Sequence, residues 1–297
     1  MRLAGLVAML MVAGCSRGSG GGDAGAGESA GAGAGADAGA GAGAGAGADA
    51  GAGAGAGAPA VRPPLPPAPA GEAVRSTLTS LDREPLLRAE LVRLREHFGG
   101  DAGKDARGPF SMQRAELAGG RSALLLSRPD ESDPIVLALD RDQLLFAKER
   151  PTAGIASPAE HPVIAPGPEG GVAVFTWVSR LRLVAARMWA DDANPYAELE
   201  VFHPAACDEL HVAYAPKAGW VVACGSKDGA VAQRLKEDLT CSWAREGIAV
   251  GTASPVAHLA IAFDSPSSWK LTERASAVGG DRTVTFRYGL DGASLDR

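Results

Sequence analysis

The sequence predicts an all-β body of about four units, each of four antiparallel strands, preceded by one N-terminal α-helix, a disordered tether and a short leader. Three observations predict it. Beyond Pro109 the apolar residues come in short runs cut by Gly, Pro and Asp turns, which is a strand pattern rather than a helical one. Segments of that region align with one another, starting at His161, Leu210 and His258, 49 and then 48 residues apart. All five Trp, all three Tyr and all seven Phe lie at or beyond Phe98, so the material for a core is confined to the C-terminal part of the 297 residues.

The leader, residues 1–14, opens with a cation at Arg2 and continues as an apolar run from Leu3 to Val12 that is too short to span a bilayer. Small residues follow, then Cys15. The run Val12-Ala13-Gly14-Cys15 resembles the lipobox of bacterial lipoproteins. That resemblance implies cleavage before Cys15, lipidation of its thiol and acylation of the new amino group, and hence a membrane partner through a lipid anchor. Two or three acyl chains hold far more firmly than one. Ser16 in place of an Asp implies, within that family, delivery to the outer membrane.

Residues 15–70 are then a lipidated cysteine followed by a spacer. From Ser16 to Ala58 Gly and Ala alternate, interrupted by Asp23, Glu28, Asp37 and Asp49, and 18 of the 40 glycines fall there. Gly loses the most entropy on ordering and Ala returns little apolar area, so no core is expected. Six prolines between Pro59 and Pro69 stiffen the last part toward polyproline II. As a coil the spacer would average roughly 40 Å end to end.

Residues 71–108 read as a helical lead-in. Leu87, Leu91, Leu94 and Phe98 recur at helical spacing, with Asp82 placed as N-cap, Pro85 in the first turn and Gly99-Gly100 as the stop.

Residues 109–297 carry the repeat. Each aligned segment is an apolar strand, a turn rich in Pro, Gly or Ser, and a second strand opened by Val172, Trp220 or Trp269. A third strand follows at Val184, Ala230 or Thr283, then an acidic turn (Asp191-Asp192, Glu237-Asp238 or Asp291-Gly292) and a short fourth strand. A fainter copy runs from Arg121 through Ile135 and the turn Arg141-Asp142 to Leu144. A lone four-stranded meander leaves faces bare that neighbours must cover. The pattern resembles the degenerate β-propeller repeats of bacterial surface lipoproteins, and implies a propeller-like array of about four four-stranded antiparallel blades. It lacks the marks of WD40 and kelch repeats.

Few residues carry a chemical signal. Arg187, Arg234 and Arg287 align in successive third strands, where cations around a channel would suit an anionic ligand, or would satisfy carbonyls and acids between blades. Cys207, Cys224 and Cys241 recur every 17 residues; export into an oxidising compartment predicts one disulfide among them, and all three pairings close loops of tolerable length. The acidic turns, including Asp140-Arg141-Asp142 and Asp191-Asp192-Ala193-Asn194, depart from calcium-loop spacing and read as hairpin turns. His203 and His211 form only a loose surround for Cys207, and without a CxxC no metal site is assigned. His97, His161 and His258 lie far apart, the last two opening equivalent strands.

Neither catalytic nor cofactor residues are assigned, because the sequence has no GxSxG elbow, HExxH, P-loop or dinucleotide fingerprint. A net charge of −6, with Lys and Arg interspersed among Asp and Glu, argues against a nucleic-acid partner. The expectation is a lipid-anchored cell-envelope protein presenting its body to a protein or glycan partner, without catalytic activity. The alternative is an anchored polysaccharide hydrolase or lyase of propeller type, which needs two carboxylates about 5 to 10 Å apart in a central pocket.

Overall fold

A computed structural model describes residues 71–99, 107–128, 134–141, 143–151, 160–191, 197–252, 258–277 and 280–296. The leader, Cys15 and the tether lie outside these residues, as do Gly100, Asp142 and the stretch 192–194 of the acidic turn after Asp191.

The body begins with two strands, β1 (Gly71–Glu72) and β2 (Val74–Ser80), where a helical lead-in was expected. The continuous helix is itself replaced by two 3₁₀ segments, Leu81–Arg83 and Pro85–Glu90, and the seven-residue α1 (Leu91–His97). Local capping breaks it up. The Ser80 hydroxyl accepts from the Asp82 amide and the Glu84 carboxylate accepts from the Leu86 amide, so each turn has its own start just where Pro85 withholds a donor. Gly99, at a φ of 72°, leaves the helix in the left-handed conformation that glycine tolerates.

Fifteen strands follow: β3 (Arg107–Glu116), β4 (Arg121–Ser127), β5 (Ile135–Asp140) and β6 (Gln143–Glu149); β7 (Glu160–Pro166), β8 (Val172–Val178), β9 (Leu183–Trp189) and β10 (Ala197–Phe202); β11 (Glu209–Ala215), β12 (Gly219–Ser226), β13 (Gly229–Leu235) and β14 (Ile248–Val250); and β15 (His258–Ser265), β16 (Ser268–Ala277) and β17 (Gly280–Gly289). They form four antiparallel sheets of three to five strands, none closed on itself. Each sheet holds one sequence unit in meander order; β2 adds to the first beside β3, β1 adds to the third beside β11, and the fourth has three strands.

The register bears on the repeat directly. Val172, Trp220 and Trp269 pair across to Trp189, Leu235 and Tyr288, the last apolar residues of successive third strands. All three pairs face the preceding sheet. Gly219 shows why the residue before such an opener is small: a side chain there would meet the Leu235 carbonyl oxygen at 2.0 Å, and its φ is +84°.

Three apolar layers lie between successive sheets. Ala123, Leu125 and Val136 meet Ile164, Val174 and Trp189 between the first and second. Phe175, Val184 and Met188 meet Val212, Trp220 and Val222 between the second and third. Val221, Ala223 and Ala232 meet Ile261, Trp269 and Leu271 between the third and fourth. Strands β3, β7, β11 and β15 run side by side as the inner strands of the stack.

The stack has two unlike ends. On the first sheet Leu81, Leu87, Leu94 and Phe98 of the helical segment cover Phe110, Leu124, Leu126 and Leu137. On the last sheet the outward face carries Lys270, Thr272, Arg274, Thr285 and Arg287 in or near solvent. Neither end offers the other an apolar face, so the described residues form an open stack. Among the described residues no helix is long and apolar enough to cross a membrane.

Candidate functional site

The inner strands of an open stack leave edges whose amides and carbonyls need partners. Strands β1 and β2 cover those of β11 and β3. Side chains do the same work for the other two. The buried amide of Gln113 on β3 donates to the Pro162 carbonyl at 2.6 Å and accepts from the Ile164 amide at 3.2 Å, imitating one residue of a neighbouring strand along β7. Along β15, Glu209 accepts from the Leu259 amide at 3.1 Å and Glu72 from the Ile261 amide at 3.3 Å.

Those two carboxylates also meet at one ring. His211 is 3% exposed; its Nδ1 lies 2.5 Å from Glu72 and its Nε2 3.3 Å from Glu209. Glu209 reaches on to His258 Nδ1 at 3.2 Å. Register explains the meeting: Glu209 precedes Tyr214 by as many residues as His258 precedes Phe263, and Tyr214 and Phe263 face the openers Trp220 and Trp269. Arg75 closes the group, donating to the Leu210 carbonyl at 2.8 Å with its guanidinium 3.9 Å from Glu72.

The electrostatics follow from this geometry. The hydrogen bond from His211 lowers the Glu209 pKa to about 2 against the opposing effect of burial, with His258 and the Leu259 amide adding to it. Burial acts to lower the pKa of His211, but the hydrogen bonds to Glu209 and Glu72 outweigh it and hold the pKa above the usual histidine value. Chemically this is a satisfied carboxylate–imidazolium–carboxylate relay, in which every acid oxygen named above already has a donor from the protein.

The residues singled out in the sequence fall elsewhere. Arg187 donates to the Pro151 carbonyl at 3.0 Å, toward the first sheet. Arg234 donates to the Leu290 carbonyl at 3.3 Å, toward the fourth, and Arg287 pairs with Asp264. They do not share a face. Arg187 lies on the side of Trp189, two residues before it, whereas Arg234 and Arg287 lie one residue before Leu235 and Tyr288 and point the opposite way; the register partner of these two is Met188. A one-residue offset inverts a strand side chain, and so these three side chains make no common ring.

Cys207 and Cys224 form a disulfide with their Cα atoms 4.9 Å apart. Cys241 Sγ lies 3.1 Å from the Val201 carbonyl oxygen. His203 sits by Glu200 and Arg245, its pKa lowered by burial and by the Arg245 charge. Among the described residues no group of three or more His, Cys, Asp or Glu is arranged to hold a metal ion.

The sequence reading missed Glu72, Gln113 and Glu209, and treated His211 only as a loose neighbour of Cys207. A signal for part of the seam was present: an acid two residues before His211, in a strand otherwise apolar, marks two polar side chains on one strand face. The chain matches no protein-family model, no curated protein and no solved structure.

Proposed function

We propose that this is an exported protein, anchored through lipid on Cys15 to the outer membrane, whose propeller-like body is held out on the Gly/Ala/Pro tether to bind a protein or glycan through its loops, without catalysis. The observation that carries the reading is the Cys207–Cys224 disulfide, because such bonds persist in oxidising compartments and this one occurs on the chain that begins with the Val12-Ala13-Gly14-Cys15 leader. Blade-like placement of β3, β7, β11 and β15 as adjacent inner strands supports the propeller-like plan. The carboxylates that come together, Glu72 and Glu209, are taken up by His211, His258 and backbone amides, which favours binding over the hydrolase or lyase alternative.

The test is made in cells. Wild-type chain is expected to take up a labelled fatty acid and to sediment with membranes, whereas Cys15→Ser is expected to do neither. Protease added to intact cells then separates a surface-facing body, which is shaved off, from a periplasmic one, which is protected until the outer membrane is opened. An unlabelled wild-type chain would sink the anchor.

A further inference from the structure

The relay sits where the chain enters the body. Strand β1 is the first described element after the tether, and only two of its residues pair, Gly71 with Tyr214 and Glu72 with Ala213. So short a pairing contributes little alone, and β2 beyond it is largely exposed, Val74 at 70%. From Val74 on the chain is held by pairing of β2 with β3 and by Arg75 on the Leu210 carbonyl, whereas residues 71–73 depend on the Glu72 side chain, which holds His211 with one oxygen and the Ile261 amide with the other.

We propose that His211 is a proton-operated clasp: as imidazolium it fastens the root of the N-terminal segment onto the third and fourth sheets, and loss of its proton lets residues 71–73 come away. The geometry carries this. Both ring nitrogens face carboxylate oxygens, and only the charged ring has two N–H groups to offer them. A neutral ring sets a lone pair against one carboxylate inside a site where His211 is 3% exposed.

The charges facing the ring come from every element around it: Glu72 from β1, Arg75 from β2, Glu209 from β11, and His258 from β15, with Arg274 of β16 across from His258. With the ring charged, Glu72 and Glu209 are balanced by His211 and Arg75. With it neutral, one partly buried negative charge is left over. The weaker attachment yields, because the third and fourth sheets are also joined by Val221, Ala223, Trp269 and Leu271, while the segment contributes only the small side chain of Ala73 to a core. The clasp does not depend on the binding role proposed above.

Amide hydrogen exchange on the full chain tests it, with rates corrected for the intrinsic effect of pH. Between about pH 5 and pH 9, protection of the amides of residues 71–73 should fall roughly 10- to 100-fold, the loss of one charge-assisted hydrogen bond, while β2, paired with β3, and β12 keep theirs. His211→Gln should give low protection at every pH, and Glu72→Gln serves the same purpose should His211→Gln fail to fold. His258→Gln should leave the pH profile in place. A flat wild-type profile, a profile that survives both His211→Gln and Glu72→Gln, one abolished by His258→Gln, or loss of protection in β12 in step with the segment would each overturn the clasp.

Discussion

The layer between the second and third sheets and the seam along the inner strands solve opposite problems. In the layer, Phe175 and Val184 meet Val212 and Trp220 with few polar atoms: Trp220 Nε1 donates to the Pro166 carbonyl at 2.9 Å and the Tyr214 hydroxyl to Glu237 at 2.9 Å. In the seam, Gln113, His211, Glu72 and Glu209 occupy ground where apolar side chains would have left strand edges without partners. The layer supplies most of the stability because burial is additive and undirected. The seam adds less, since each bond replaces one to water, but it fixes which strand lies against which.

Breaking the layer should therefore have the largest effect. Trp220→Ala is expected to destabilise the body by about 3–5 kcal/mol in denaturant unfolding, through the cavity and the Pro166 carbonyl left without its donor. A change below about 1 kcal/mol would show that the second and third sheets do not depend on each other. Next comes the disulfide, which ties the approach to β11 to the end of β12: Cys207→Ala/Cys224→Ala removes a crosslink between residues 17 apart in sequence and should lose about 3 kcal/mol.

In the seam, Gln113→Leu fits a similar volume but leaves the Ile164 amide and the Pro162 carbonyl without partners, for a loss of about 1–3 kcal/mol. Glu209 offers a sharper test through its titration. Its folded pKa of about 2 is below the reference of 4.5, so its stabilisation is present above pH 4.5 and is lost as pH falls toward 2. The gap in unfolding midpoint between wild type and Glu209→Gln should narrow over that acid window, and an unchanged gap would mean the carboxylate is not held as described. The smallest effect belongs to the solvated end. Thr285→Ala on the outer face of the last sheet, where its hydroxyl meets that of Thr272 at 3.2 Å, should stay within about 0.5 kcal/mol.

The sheets were legible in the sequence where strands are local and periodic. The second- and third-strand assignments at Val172, Trp220, Trp269, Val184, Ala230 and Thr283 all fall on observed strands, because a meander pairs neighbours in sequence and its core residues repeat. What was not legible lacks a period. Gly71–Glu72 pairs with a strand some 140 residues on, and Gln113 acts as a strand mimic through one amide, which no pattern of hydrophobicity reports. The three arginines match in composition but not in register, because an offset of one residue puts a strand side chain on the opposite face.

The open stack also has a consequence for the order in which the body is assembled. Every sheet apart from its added N-terminal strand is built from contiguous chain, so each can form as the polypeptide is delivered and then serve as the template for the next. The exception is β1, which has no partner until β11 exists. The first residues of the body are thus expected to be the last but one to settle, waiting through two sheets for a neighbour, and the carboxylate of Glu72 then seals the fourth sheet on arrival by taking the Ile261 amide.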